Sequence, residues 1–199
     1  MIPPRLEPLL RADGPAGRLS VLFHEAGHEL ALVGGSVRDA LLGRPIEDLD
    51  FTTDAHPERI KEIVQPWAHD LYLAGQRFGT IGAIHDGHIY EITTYRSEVY
   101  SDDSRKPQVS YSRDINEDLS RRDFTVNAMA LRMGPDGDPD LLDPYGGLED
   151  LFQGVLRTPL APEIAFGDDP LRMLRLFRFL STLGFVPTEE ALGAVSAMA

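Results

Sequence analysis

Residues 30–53 read LALVGGSVRDALLGRPIEDLDFTT, and the reading of the rest of the chain follows from them. Residues 30–33 are four apolar residues that run into Gly34-Gly35, which predicts a short buried strand and a tight turn. Residues 36–42 read as a helix that Gly43 ends and Pro45 follows. Residues 49–53 read as a second strand. Two glycines let backbone approach a ligand closely, and the free N–H groups of a helix N-terminus suit a phosphate. Arg38, one turn in, adds a charge-assisted contact. Alone, a Gly-Gly turn between strand and helix is ordinary turn chemistry, and the dinucleotide fingerprint GxGxxG is absent.

Asp48-Leu49-Asp50 supplies a second element. Residues two apart on a strand share a face, so two carboxylates about 6–7 Å apart would repel unless a cation lay between them. Mg²⁺ takes hard oxygen ligands and leaves room for substrate phosphates. A bare DxD is more often a pair of solvated acids or a cap. A phosphate-binding turn just upstream changes the odds, because phosphoryl transfer needs triphosphate and metal together. Glu91, which alternates with Ile92 on a strand over 88–95, is a third acid; its plain alternative is an exposed strand glutamate.

Outward from this stretch, the pattern predicts helices over 17–29 and 56–67, the latter with Ile60, Ile63 and Val64 on one face. Strands follow over 71–74, 80–85 and 88–95, the last two joined by the hairpin signal Asp86-Gly87. Residues 96–116 are polar and aperiodic and read as a long mobile loop. Residues 122–133 read as helix passing into extended chain, 133–140 as a turn around Gly-Pro-Asp-Gly, 148–151 as a short helix and 155–158 as a short strand. An amphipathic helix over 168–183 ends at Gly184, with Leu171, Leu174, Phe177 and Leu180 expected to face the core. A further helix from Thr188 meets no stop signal by Ala199, so the expectation is the first part of a longer protein. The fold class expected is α+β, a mixed sheet flanked by helices.

The chain has 199 residues and 42% apolar content, enough for a real core. It shows no run of about 20 apolar residues and no signal-like start, which points to a cytoplasmic protein without a membrane partner. With no cysteine there is no thiolate metal site and no disulfide framework. A net charge of −13, with 19 Lys and Arg, argues against a large nucleic-acid footprint on this stretch. One decoy needs weighing. His24-Glu25-Ala26-Gly27-His28 matches the zinc-hydrolase pattern HExxH, but a strand begins at Leu30 and no third ligand follows at a recognisable spacing. The plain reading is the end of a surface helix.

Together, L32-V-G-G-S-V-R-D-A-L-L-G43 and D48-L-D50 resemble the first motif of class II nucleotidyltransferases, the family of tRNA CCA-adding enzymes and bacterial poly(A) polymerases. R121-R-D-F-T-V-N-A-M-A130 resembles its second motif and D143-P-Y-G-G-L-E-D150 a later segment. D168-D-P-L-R-M-L-R-L-F-R-F179 resembles its base-reading helix. Four long motifs in the family's order cover about residues 32–185. The resemblance implies a nucleotidyltransferase head over 1–160 and the start of an all-helical neck over 161–199. It implies Asp48 and Asp50 as ligands of two Mg²⁺ ions, with Glu91 beside them as a third catalytic acid. Gly34, Gly35 and Arg38 match triphosphate-holding positions, and Arg122 and Asp123 nucleotide contacts. Asp169, Arg172, Arg175 and Arg178 match the helix that reads the base and helps bind phosphate. The family usually has Glu-Asp where this chain has Asp168-Asp169, and the acid that changes is not the base-reading one. In the family, the loop corresponding to residues 96–116 helps switch specificity from C to A.

The chemistry of the bases agrees with that helix. Cytosine and adenine each present an amino donor beside a ring-nitrogen acceptor, which a carboxylate at Asp169 and a guanidinium at Arg172 would complement. Guanine and uracil would leave both contacts unpaired. The alternative is an ordinary i,i+3 ion pair on a solvated helix. The expected function is CCA addition to tRNA from CTP and ATP, with poly(A) addition to RNA 3′ ends as runner-up. The lack of a strongly basic extension favours tRNA. A nucleotide-binding module without catalysis is a third reading, which the presence of both Asp48 and Asp50 opposes.

Overall fold

The computed structural model describes residues 2–101, 104–133 and 139–198. After a 3₁₀ turn at Pro4–Leu10, helix α1 (Pro15–Glu25) leads to strand β1 (Leu30–Val33). The helix expected to reach residue 29 stops at Glu25, because Gly27 adopts φ 79° and turns the chain into β1. Helix α2 (Gly35–Leu42) follows the Gly-Gly turn and ends at Gly43, which is left-handed. Strand β2 (Asp50–Thr53) and helix α3 (Pro57–Val64) come next, and α3 buries Ile60, Ile63 and Val64 as its pattern predicts. Strands β3 (Asp70–Tyr72), β4 (Thr80–His85) and β5 (His88–Thr94) complete this half. Asp86 at φ 49° and Gly87 at φ 80° give the two positive angles that a two-residue I′ hairpin turn needs.

Residues 96–116 differ from the expected mobile loop. Strands β6 (Arg96–Ser101) and β7 (Ser104–Tyr111) pair antiparallel as a separate ribbon, and helix α4 (Ile115–Ser120) begins directly after it. Backbone pairing satisfies a polar segment that carries no apolar periodicity, and the Asp114 carboxylate caps α4 by accepting from the Asn116 N–H. Where helix was expected from residue 122 there is only a 3₁₀ turn, Thr125–Asn127, before strand β8 (Ala130–Met133). The turn expected around Gly-Pro-Asp-Gly falls on residues 134–138, outside the described residues. Strand β9 (Pro139–Leu142), helix α5 (Gly147–Gln153) and the two-residue strand β10 (Val155–Leu156) follow.

The single amphipathic helix expected over 168–183 is two helices, α6 (Pro162–Asp168) and α7 (Leu171–Leu183), broken at Asp169 (φ −141°, ψ 98°). Pro170 is the cause, since the residue before a proline is forced out of the α region. Strand β11 (Val186–Pro187) pairs in parallel with β10, and helix α8 (Glu189–Met198) packs on α6. The face assigned to α7 also needs correction. Leu171, Leu174, Phe177 and Leu180 are all exposed, whereas Arg172, Leu176 and Phe179 are buried.

The main sheet has the order β3-β4-β5-β2-β1-β8-β9, and each neighbouring pair is antiparallel except β2 and β5, which run parallel. The architecture is α+β with a mixed sheet, as expected. Leu32, Phe51 and Ile92 point to the face covered by α1 and α3, while Ala31 and Val33 join a smaller cluster with Ile115 and Leu119 of α4 on the other. Among the described residues, no helix is long and apolar enough to cross a membrane.

Helix α5 packs so closely that a Cβ at Gly147 would lie 2.2 Å from the Thr125 carbonyl oxygen. Gly147→Ala should therefore lower stability by about 1–3 kcal/mol, read as a lower urea midpoint. Gly193→Ala on α8, where nothing lies within 4 Å, should raise it slightly.

Candidate active site

The parallel pairing of β2 and β5 puts Asp50 directly across from Glu91 on one face of the sheet. Asp48 lies just before β2, exposed at the mouth of a cavity of about 920 Å³ that Asp48 and Asp50 both line. Burial pushes the Asp50 carboxyl above the usual carboxylate range, Glu91 pushes it further, Arg122 opposes this and Asp48 adds to the rise. Negative charge is thus concentrated where only a cation or a proton relieves it. Hard carboxylate oxygens with open access to a cavity suit a divalent ion such as Mg²⁺.

The same cavity is lined by Gly34, Gly35 and Arg38. Gly34 sits at φ 71°, ψ −130°, a conformation closed to other residues, and a Cβ there would lie 3.0 Å from Arg122 Nη1. The turn and the Arg122 guanidinium therefore form one wall. Arg38 donates from Nε and Nη2 to the Asp39 carboxylate (2.9 and 2.7 Å) and from Nη1 to Asn127 Oδ1 (2.6 Å). Its place is fixed by these partners and by Phe179, whose ring centre lies 5.2 Å from its Cζ.

Arg122 is held from behind. The Asp118 carboxylate is wholly buried and accepts from Arg122 Nη2 (3.2 Å), from Arg121 Nη2 (2.6 Å) and from Thr52 Oγ1 on β2 (3.2 Å). Burial alone would raise the Asp118 carboxyl, but the two guanidiniums hold it below the usual range. Arg122 lines the cavity, while its Nε is buried with no hydrogen-bond partner among the described residues.

From the opposite side come α7 and the break before it. Arg175 donates from Nε to Asp123 Oδ2 (2.7 Å), while Asp123 Oδ1 accepts from the Phe124 N–H and from Asn127 Nδ2 (2.9 Å each). Arg172 donates from Nη1 to the Ala165 carbonyl (3.1 Å) and from Nη2 to the Arg121 carbonyl (2.5 Å). Asp169 lies before α7 rather than on it, with Oδ1 accepting from the Leu171 N–H and Oδ2 4.0 Å from Arg172 Nε. Asp169 and Arg172 are neighbours as the sequence implies, but through a helix corner. Arg178 lines the same cavity beside Phe179. Of the candidates from sequence, only Glu91 is not among the cavity's lining residues; it reaches the site through its pairing with Asp50.

Sequence reading missed Asp118, Asn127 and Asp39, which orient the arginines. The signal was available for Asp118, whose i,i+3 and i,i+4 partners on the α4 turn are Arg121 and Arg122. The zinc-hydrolase pattern does not lie on one helix, as the expected helix to residue 29 would have had it. His24 and Glu25 end α1, while His28 lies past the helix with Nδ1 3.1 Å from Asp54 Oδ1.

Residues 30–157 match the family described as the Poly A polymerase head domain. The CCA-adding enzyme of Anoxybacillus flavithermus is 44% identical over 170 residues, covering 85% of this chain and 41% of that protein. The crystal structure of the Bacillus stearothermophilus CCA-adding enzyme in complex with CTP superposes with a TM-score of 0.80 at 34% identity, covering 100% of this chain and 44% of that one. A tRNA nucleotidyltransferase complexed with a primer tRNA and an incoming ATP analog superposes at 0.74 with 30% identity, covering 90% and 49%. The chain thus spans about two fifths of the length of the curated relatives it matches.

The raised Asp50 carboxyl fixes the sign of a pH effect. A carboxyl whose folded pKa exceeds its unfolded value costs stability once pH rises above the ordinary aspartate range, and the cost is complete above the raised value. Asp50→Asn should therefore raise the unfolding temperature of metal-free protein at pH 7. The gain should shrink as pH falls toward about 4. Mg²⁺ should stabilise the native sequence and not this variant; calorimetry with and without chelator checks both.

Proposed function

The chain belongs to the Poly A polymerase head-domain family, and from that premise we propose that it carries the catalytic head of a template-independent RNA nucleotidyltransferase that completes the CCA end of tRNA from CTP and ATP. The observation that carries this reading is one cavity that joins an acidic pair, a Gly-Gly turn and the arginine-lined start of α7. The names of the relatives favour CCA addition over poly(A) addition. With no cysteine and no spanning helix among the described residues, a cytoplasmic protein is the proposed setting. Residues 1–160 form the proposed head and 161–199 the start of a helical neck.

Asp48 and Asp50 are the proposed ligands of two Mg²⁺ ions, with Glu91 completing the acidic face. Bound there, the ions would lower the pKa of the attacking hydroxyl and stabilise the leaving oxygens. The RNA 3′-hydroxyl attacks the α-phosphorus of the incoming nucleotide, loses its proton, and forms the new phosphodiester as pyrophosphate leaves. Gly34, Gly35 and the N–H groups opening α2 hold the triphosphate, with Arg38 adding charge. The Arg122 guanidinium supplies charge to the nucleotide, and Asp123, locked by Arg175, shapes the ribose side. Asp169 accepts the amino group of cytosine or adenine, and Arg172 donates toward the ring nitrogen. Arg172 also fixes the helix corner that presents Asp169, so base choice and local architecture rest on one side chain. Arg175 and Arg178 offer charge to phosphate.

Asp48→Ala or Asp50→Ala in the full-length protein should abolish incorporation into tRNA lacking its CCA end, with CTP and ATP supplied separately and together, while circular dichroism stays native. Near-normal turnover in either variant would remove the two-metal assignment. ATP-only extension of unrelated RNA would turn the reading to poly(A) addition.

A further inference from the structure

On the sheet face opposite Asp50 and Glu91, near the β3 edge, lie His69, His85 and Asp86. In the antiparallel β3–β4 register Asp70 pairs with Ile84, so His69 lies across from His85, and the His69 N–H donates to the Ile84 carbonyl at 2.7 Å. One candidate ligand atom from each of the three side chains lies within 4.8 Å of the others. His85 shares a face of β4 with Ile81 and Ala83, and both of these belong to the core face that Phe51 and Ile92 share.

The hydrogen bonding of His85 is what points to a ligand. Its Nδ1 lies 2.7 Å from the Trp67 carbonyl oxygen, which can only accept, so Nδ1 carries the hydrogen. In the neutral ring Nε2 then presents a lone pair, and it faces an Asp86 carboxylate oxygen at 3.5 Å. In that form two acceptors would face each other at that distance, an arrangement that a metal ion between them, or a proton on Nε2, satisfies. An imidazole whose second nitrogen donates to a backbone carbonyl is also the usual arrangement of a metal-bound histidine. The ring is further held by Trp67, stacked on it at 4.1 Å between ring centres and 16° between planes. The exposed His69 ring stands 4.7 Å from the His85 ring, centre to centre.

We propose that His69, His85 and Asp86 form a binding site for one zinc-class divalent ion, separate from the catalytic acids. Two imidazoles and a carboxylate suit Zn²⁺ or Co²⁺ and are poor ligands for Mg²⁺. In a tetrahedral Zn²⁺ site the donor atoms lie about 3.3 Å apart, as bond lengths near 2.0–2.1 Å require. The His85–Asp86 separation is already close to that, and small rotations of exposed His69 and Asp86 supply the rest. Water would take the fourth position, and His88 is the cross-strand partner of His85. The ion ties the edge strand β3 to the β4–β5 turn, so its effect is on the stability of that edge.

The chain's one tryptophan, Trp67, stacks on a proposed ligand and serves as the reporter. Tag-free, metal-stripped protein should be titrated with Co²⁺, by fluorescence quenching and visible absorption, and with Zn²⁺ by calorimetry, in excess Mg²⁺. The expected result is saturation at one equivalent in the micromolar range and a raised unfolding temperature with Zn²⁺. Both should persist in the Asp48→Asn/Asp50→Asn variant. His69→Ala and Asp86→Asn should each weaken binding about tenfold or more, and both side chains are exposed, so these variants should fold. Absence of saturation, binding unchanged in both ligand variants, or binding lost with the catalytic acids would overturn the site. An imidazolium–carboxylate pair without a metal would give the first of these results.

Discussion

The buried Asp118 carboxylate is the tie on which the site depends. It accepts from Thr52 on β2 and from both guanidiniums of the Arg121-Arg122 pair, so a central strand and the segment after α4 share one charge. That segment then holds α7 twice, through the Arg121 carbonyl to Arg172 and through Asp123 to Arg175. Strand, segment and helix therefore keep one spacing, and the cavity is the space left between them. Removing one partner of a buried ion pair typically costs about 3–5 kcal/mol, because the other charges stay buried without it. Here such a loss would displace the groups that line the cavity.

The same logic explains how a chain of net charge −13 presents an arginine-lined pocket. Arg38, Arg122 and Arg175 are each paired with a carboxylate that aims them. Arg172 is aimed mainly by backbone carbonyls. Fixed pairing lowers the entropic cost of presenting a long side chain to a ligand. At Asp50, by contrast, Arg122 only partly offsets burial and the neighbouring acids Glu91 and Asp48, and the carboxyl stays raised. In the proposed function a cation supplies the compensation.

Much of this was legible in the sequence because it is local. Strands β1 and β4 and the Asp86-Gly87 turn follow from alternation and turn chemistry, and the Gly34-Gly35 turn from two adjacent glycines. Asp50 and Glu91 could be listed as acids but not paired, since their juxtaposition comes from a parallel register between strands about 40 residues apart. The face of α7 was misread for a physical reason. Leu171, Leu174, Phe177 and Leu180 make a regular apolar stripe, yet the buried face carries Arg172, whose guanidinium is satisfied by carbonyls 7 and 51 residues away. No periodicity reports a partner at that distance. The break at Asp169 was readable from Pro170, while the β6–β7 ribbon was not, because two polar strands satisfied by backbone pairing leave no hydrophobic alternation.

The position of β1 has a consequence for how the protein is made. Its four buried residues lie between β2 and β8, and β8 follows it by about 100 residues. At about 5–20 residues per second, a ribosome needs roughly 5–20 s to supply the second neighbour. For that interval one side of an apolar strand is an open edge, the kind of surface that pairs with other chains. The interior strand of the finished sheet is therefore the nascent chain's most vulnerable segment, and cover during translation matters most before residue 133 has emerged.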